Sequence, residues 1–144
     1  MQRTASGALA GVLAGAILAV VAVSYTMLSG QGFWAPAIWL AGVVQEQGNG
    51  DMLAILIALC LHLTISAGFG VIFVHLHALL APASPGLLAG LLFGILVYAL
   101  DRFVLEPLLA APSLLPVTVG LFAHLLYGGM LGALTSSSQA QSSG

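Results

Sequence analysis

Charged residues are scarce in this chain. Its 144 residues include two Lys or Arg and four Asp or Glu, so charged side chains make up 4% of the sequence and hydrophobic residues 60%. Soluble domains carry about 25% charged residues. The sequence therefore predicts a protein that lies in a lipid bilayer. Two basic residues provide no positive surface for binding nucleic acid.

Cysteine is almost absent as well. The single cysteine, Cys60, excludes an intrachain disulfide and any metal site built from several cysteines. It lies within an apolar run, which predicts a small residue packed in the core. The motifs GxSxG, HExxH and CxxC and a phosphate-binding loop do not occur, and the acidic residues form no dyad. We therefore expect no enzymatic activity.

Four stretches are long and apolar enough to cross a membrane, which takes about 20 residues. They cover residues 5–28, 51–80, 85–105 and 114–134. This pattern predicts an all-α membrane protein, a four-transmembrane-helix bundle. We expect a single domain over residues 1–134, followed by a disordered polar tail over residues 135–144.

The connections between the spans have their own signals. The apolar piece "AIWLAGVV" is too short to cross, and with Trp34 and Trp39 it predicts an interfacial or re-entrant helix within residues 33–44. "APASPG" predicts a tight connection, and "EPLLAAPSLLP" predicts a non-helical connector in which Pro107 ends the third helix. Arg3 favours a cytoplasmic N-terminus and, with four spans, a cytoplasmic C-terminus.

Glycines recur every four residues in the first and third spans. The two sets are Gly7, Gly11 and Gly15 in "GALAGVLAG" and Gly86, Gly90 and Gly94 in "GLLAGLLFG". Residues four apart share one helix face, so each set forms a groove along which another helix can approach closely. We expect tight packing within the bundle, and a homo-oligomeric contact is the alternative.

The second and fourth spans also resemble each other. The spacing of His62, Ser66 and Gly70 matches that of His124, Gly128 and Gly132. Together with the glycine sets, this spacing indicates a duplication, with two parallel two-helix repeats over residues 5–80 and 85–134. Equivalent residues would then lie at the same depth in the membrane.

A histidine in the middle of a span is costly, so it normally faces the bundle interior and has a polar partner. The first interpretation of His62 and His124 is a neutral imidazole hydrogen-bonded between helices, with Ser66, Thr64, Tyr127 or a backbone carbonyl as the partner. The second interpretation is ligation of one haem b by both imidazoles, with the neighbouring glycines leaving room for the macrocycle. No other cofactor is expected.

The third interpretation is a proton or ion path through the same histidines, with Tyr98, Asp101 and Glu106 as its outer end. The cluster "DRFVLE" carries nearly all the charge of the second half of the chain. Arg102 and Glu106 are four residues apart and can pair on one helix face, beside Asp101. We expect an ion pair at the membrane boundary, and the mouth of a binding site is the alternative.

Several motifs in order resemble a known family. A glycine-striped first span is followed by the pattern H-x(6)-FG-x(2)-F, by a third span that opens "GLLAGLLFG" and leads to "EPLL", and by the closing motif "AHLLYGGMLGAL". This order, over most of residues 5–134, resembles the YagU-like family of small four-span bacterial inner-membrane proteins. The resemblance implies four spans and an inner-membrane location, and it implies no established chemistry.

Three functions are compatible with these features. The first is an accessory or structural subunit of a larger respiratory or photosynthetic membrane complex, without catalysis of its own. Its partners would be the lipid bilayer and other membrane subunits. The second is a small transporter or channel for protons, ions or a solute. The third is a haem-binding electron carrier. The absence of a catalytic constellation favours the subunit, whereas the repeat and the histidines favour the transporter.

Overall fold

The chain folds into helices that are mostly long enough to cross a bilayer. A computed structural model describes residues 2–44, 52–80, 84–109 and 113–142, and these residues form five helices and no strand. The helices are α1 (Gln2–Leu28), α2 (Ala35–Val44), α3 (Met52–Leu80), α4 (Gly86–Leu108) and α5 (Val117–Ser142). All except α2 are long and apolar enough to span a membrane. The predicted four-span all-α membrane fold is confirmed.

The short helix predicted after the first span is α2. The chain turns into it through Gly30 and Gly32, whose φ angles are 78° and 99°. These angles lie in the left-handed region, which favours glycine. Trp34 directly precedes α2 and Trp39 lies within it. The polar connector after α2, residues 45–51, and most of the "APASPG" connection, residues 81–83, lie outside the described residues.

The end of α4 differs from the prediction. The helix continues through Pro107 to Leu108, so residues 106–108 are helical where a non-helical connector was expected. The preceding turn, Asp101–Leu105, is π-helical. A proline inside a helix has no amide hydrogen, and its ring clashes with the carbonyl four residues earlier, here that of Phe103. The wider π-helical turn gives that carbonyl room. Residues 110–112 lie outside the described residues.

The last helix is longer than the predicted span. It continues to Ser142, whereas the sequence predicted a disordered tail from residue 135. The Thr135 hydroxyl donates to the Leu131 carbonyl at 2.7 Å, and the Ser136 hydroxyl donates to the Gly132 carbonyl at 2.7 Å. Because these hydroxyl groups bond within their own helix, they do not interrupt it.

The four long helices form a bundle with one loose seam. The helix α1 packs against α3 and α5, and α5 packs against α1 and α4, whereas the described residues of α3 and α4 make few contacts. Where α3 and α4 do meet, the Phe93 ring lies 5.3 Å from the Phe73 ring and 6.3 Å from the Phe69 ring, measured between centroids. We call this boundary the α3–α4 seam.

The outer face of the bundle is apolar. Cys60 is exposed on α3, so the prediction that it packs in the core is wrong. The buried residues of α3 include Ala58, Ser66 and Gly70, and Cys60 lies off that helix face. The residue directly before it in the sequence, Leu59, is exposed as well. An apolar outer surface of this kind suits contact with lipid chains.

Candidate functional site

The glycine stripes allow two helix pairs to approach closely. The helix α1 faces α3, and α4 faces α5. A Cβ atom added to Gly7 would lie 2.8 Å from the carbonyl oxygen of Gly70, and one added to Gly86 would lie 2.8 Å from the carbonyl oxygen of Gly132. Both distances are shorter than ordinary van der Waals contact. These glycines therefore bring the helix backbones together, as the stripes predicted.

The other predicted packing glycines make similar contacts. An added Cβ atom would meet the facing helix backbone at Gly11, Gly70, Gly90, Gly94, Gly128 and Gly132, and the Ser66 side chain at Gly15. The contacts match between the pairs, since Gly11 faces the Ser66 carbonyl and Gly90 faces the Gly128 carbonyl. Because the facing helix fills this space, these glycines leave no room for a macrocycle, and the expectation of such room is wrong.

The two histidines have different hydrogen-bond partners. His62 Nε2 donates to the Gly15 carbonyl of α1 at 2.9 Å, so the predicted bond to a carbonyl of another helix is confirmed for His62. His124 Nδ1 donates at 2.8 Å to the carbonyl of Gly120 in its own helix, so the prediction of a bond between helices is wrong for His124. The His124 ring also packs against Tyr98, with centroids 5.4 Å apart.

These bonds affect the haem hypothesis. His124 donates through Nδ1 and therefore keeps Nε2 available as a ligand. The Nε2 atom of His62 is already engaged by Gly15. Ligation through that nitrogen would require the imidazole to leave α1. The Nδ1 atom of His62 forms no hydrogen bond within the described residues, and haem binding stays a prediction.

The other polar residues predicted as partners of the histidines bond elsewhere. The Tyr127 hydroxyl of α5 donates to the Ser66 carbonyl of α3 at 2.9 Å, and both residues are buried. The exposed Thr64 hydroxyl donates to the Cys60 carbonyl of its own helix. The Tyr98 hydroxyl donates to the Val117 carbonyl at 3.3 Å. The buried bond from Tyr127 thus links α5 to α3.

The charged cluster lies inside the α4 span. Arg102 and Glu106 form the predicted ion pair, with 2.6 Å between Nη1 and Oε2. The Ser113 hydroxyl also donates to Glu106. Asp101 lies seven residues before the end of α4, about 10 Å along the helix axis at 1.5 Å per residue. The helix continues beyond the cluster to Leu108, and the position of the cluster at the membrane boundary stays a prediction.

A cavity of about 560 Å³ collects the predicted polar residues. It lies beside the α3–α4 seam, in the half of the bundle that α2 covers. Its polar wall consists of His62, Ser66, Tyr98, Asp101, Arg102, Glu106, His124 and Tyr127. These include every polar candidate that the sequence identified except Thr64, and they come from three different helices.

Sequence reasoning missed part of the wall. The short helix α2 lines the cavity with residues that include Trp34, Trp39 and Val43, and α1 lines it with small residues such as Ala19 and Ala22. The tryptophans signalled only an interfacial helix. Small apolar residues give no signal of a cavity in a sequence that is apolar throughout.

These features define a multi-pass membrane protein with a cavity beside a loose seam between two of its spans. No protein-family model matches the sequence, and comparison with curated proteins and with solved structures finds no significant similarity. The resemblance to YagU-like proteins therefore stays a prediction.

Proposed function

We propose that this protein binds a small, mostly apolar molecule that enters the cavity from the bilayer. The cavity itself carries the proposal, because its volume of about 560 Å³ lies within the range of about 300–1,000 Å³ that is usual for ligand pockets. Most of its wall is apolar and a few polar groups face it, as in other small-molecule sites. Among the predicted functions, this proposal belongs to the transporter class.

The α3–α4 seam supplies an entry route from lipid. Three residues of the cavity wall, Leu59 and Ile65 on α3 and Leu109 directly after α4, are exposed on the outer face. The wall of the cavity is therefore continuous with the surface that contacts lipid chains. A molecule dissolved in the bilayer can reach the cavity without crossing water.

The histidines supply polar contacts for the ligand. His62 uses Nε2 and His124 uses Nδ1 in their bonds to carbonyls. Within the described residues, the second nitrogen of each ring forms no hydrogen bond. In a neutral imidazole that second nitrogen accepts a hydrogen bond. These two acceptors would orient a ligand that has a hydroxyl or amine group.

Tryptophan fluorescence tests the proposal directly, because both tryptophans of the chain line the cavity. The protein is reconstituted in nanodiscs and titrated with 11-bromo-1-undecanol, a neutral amphiphile whose bromine quenches tryptophan. We expect two components of quenching. One saturates as the probe fills the cavity, and the other rises linearly because of probe that is dissolved in the lipid. Quenching that stays linear at every concentration contradicts the proposal.

Two helix positions provide matched controls. Ala19→Leu fills the cavity from α1 and should remove the saturable quenching. Ala16→Leu adds the same side chain to an exposed face of α1 and should leave it unchanged. Val43→Phe fills the same space from α2, so that the test does not depend on one variant folding. Saturable quenching that persists in both filled variants would place the ligand elsewhere.

The finer predictions from the sequence stay proposals. The bacterial inner-membrane location rests on the resemblance, and the cytoplasmic termini rest on Arg3 alone. The accessory-subunit function also stays a proposal. Its test is purification in mild detergent and identification of co-migrating chains. Isolation as a stable monomer or homo-oligomer would contradict it.

A further inference from the structure

We infer that the ligand of this cavity is a lipophilic cation and that the Asp101 carboxylate is its counter-charge. The inference rests on the proposed function, because it names the class of molecule that the same cavity binds. It depends on two independent observations, the charge balance of the cavity wall and its aromatic lining.

The first observation is that the other charges of the wall are already paired. Arg102 is turned to Glu106 at 2.6 Å, and Glu106 also accepts from Ser113. Within the described residues, the Asp101 carboxylate forms no ion pair and no side-chain hydrogen bond. Its longer-range electrostatic partners are His124, Glu106 and Arg102. Among the described residues of the wall, the positive side chain is Arg102; it forms its ion pair with Glu106 and has only a longer-range interaction with Asp101.

The described residues of the other helices supply no counter-charge to the wall. The parts of α1 and α2 that line the cavity contain no charged residue, and α3 contributes only His62 as a titratable group. The carboxylates of Asp101 and Glu106 bring two negative charges to the described wall and Arg102 brings one positive charge, so one negative charge is in excess. An ionised carboxylate within a span is costly without a cation beside it. A proton or a cationic ligand can supply that positive charge.

The second observation is the aromatic lining. Both tryptophans and two of the three tyrosines of the chain line the cavity, together with Phe33 and Phe69. The faces of aromatic rings attract cations, and tryptophan does so most strongly. An anion is repelled both by these ring faces and by Asp101. An apolar cavity with aromatic walls and one free carboxylate therefore suits an ammonium or phosphonium ion with apolar substituents.

Two probes of nearly the same shape and opposite charge test the inference. Tetraphenylphosphonium and tetraphenylborate are each equilibrated by dialysis with nanodiscs that contain the protein and with empty nanodiscs. We expect protein-dependent binding of the phosphonium alone. Asp101→Asn should weaken it about 10-fold or more, because it removes the opposite charge from a largely apolar wall, where charges attract more strongly than in water. Asp101→Glu, which keeps the charge, should retain most of the affinity.

A double variant provides the matched control. Arg102→Gln combined with Glu106→Gln removes the paired charges and leaves Asp101, so the preference for the phosphonium should persist. Equal protein-dependent binding of both ions, or unchanged binding in Asp101→Asn, overturns the inference. If neither ion binds while bromoundecanol still quenches saturably, the charge assignment fails and the proposed function stands. If none of the three probes binds, both proposals fail.

Discussion

The two helix pairs of the bundle, α1 with α3 and α4 with α5, share a backbone scaffold and differ in the side chains that it carries. A Cβ atom added to Gly7 would lie 2.8 Å from the Gly70 carbonyl oxygen, the same distance that separates a Cβ atom added to Gly86 from the Gly132 carbonyl oxygen. Each pair also has a histidine eight residues before its Gly70-type position. The comparison teaches that close backbone packing is common to both pairs and that the chemistry belongs mainly to the second.

The difference lies on α1 and α4, beyond the last glycine of each stripe. At four, seven and eight residues after that glycine, α1 has Ala19, Ala22 and Val23, whereas α4 has Tyr98, Asp101 and Arg102. All six line the cavity. These side chains do not separate α3 from α4, since Tyr98 lies against His124 of α5 and Arg102 pairs with Glu106 of its own helix. The helices α3 and α4 meet through Phe93, whose matching position on α1 is the buried Ala14. The large ring on α4 and the small side chain on α1 fit the wider α3–α4 seam and the closer packing of α1 on α5, because the spacing of packed helices depends on the side chains at the contact.

The glycine contacts give the largest expected effect. We predict that Gly70→Ala and Gly132→Ala each lower the free energy of unfolding by about 1–3 kcal/mol, since the new methyl group would overlap the backbone of the facing helix. Similar losses would show that both pairs depend on this packing. The measurement is unfolding in mixed micelles by added sodium dodecyl sulfate, followed by circular dichroism.

Gly68 is the matched control on α3. A Cβ atom added there has no atom within 4 Å apart from its own helix. Gly68→Ala should therefore leave stability unchanged or raise it by up to about 1 kcal/mol, because alanine is the better helix former. If Gly68→Ala and Gly70→Ala cost the same, close backbone packing does not explain the stripes.

The bond between the pairs gives an intermediate effect. Tyr127→Phe removes the hydroxyl that joins α5 to Ser66 and should cost about 1 kcal/mol in the same unfolding assay. Tyr98→Phe removes a longer and more exposed bond within the second pair and should cost less. The reverse order would mean that the Tyr127 bond does not hold the two pairs together.

The histidines give the smallest effect and the sharpest comparison. His62→Phe removes a bond between helices and should cost about 0.6 kcal/mol, the average for such bonds in a membrane. His124→Phe removes a bond within one turn of α5 and keeps a ring beside Tyr98, so its cost should be near zero. A larger loss at His124 than at His62 would show that His124 carries a structural role that the geometry does not suggest.

The spans themselves could be predicted because they follow from composition and length. A run of about 20 apolar residues in a bilayer has to be helical, since no water is present to bond a free backbone. This rule holds for a span whichever helices lie next to it. The end of α4 could not be predicted in this way, because the π-helical turn before Pro107 lets the helix continue where a soluble helix usually stops.

The candidate site was predicted residue by residue, and its assembly was not. Asp101, His62 and His124 were each identified because a polar group in a span is costly. The hydrogen-bond partners predicted for the histidines were partly wrong, since His124 bonds to Gly120 in its own helix and Tyr127 bonds to Ser66. Spacing along one helix fixes which face a residue occupies, but it does not determine which helix covers that face.

The sequence alone determined the membrane environment, the four spans and the glycine faces, because apolar length and a four-residue period act locally along one helix. Only the tertiary structure decided that α1 packs tightly against α5 while α3 and α4 separate, which opens the cavity and places Asp101 in its wall. That outcome depends on the sizes of side chains far apart in the chain. No local pattern contains it.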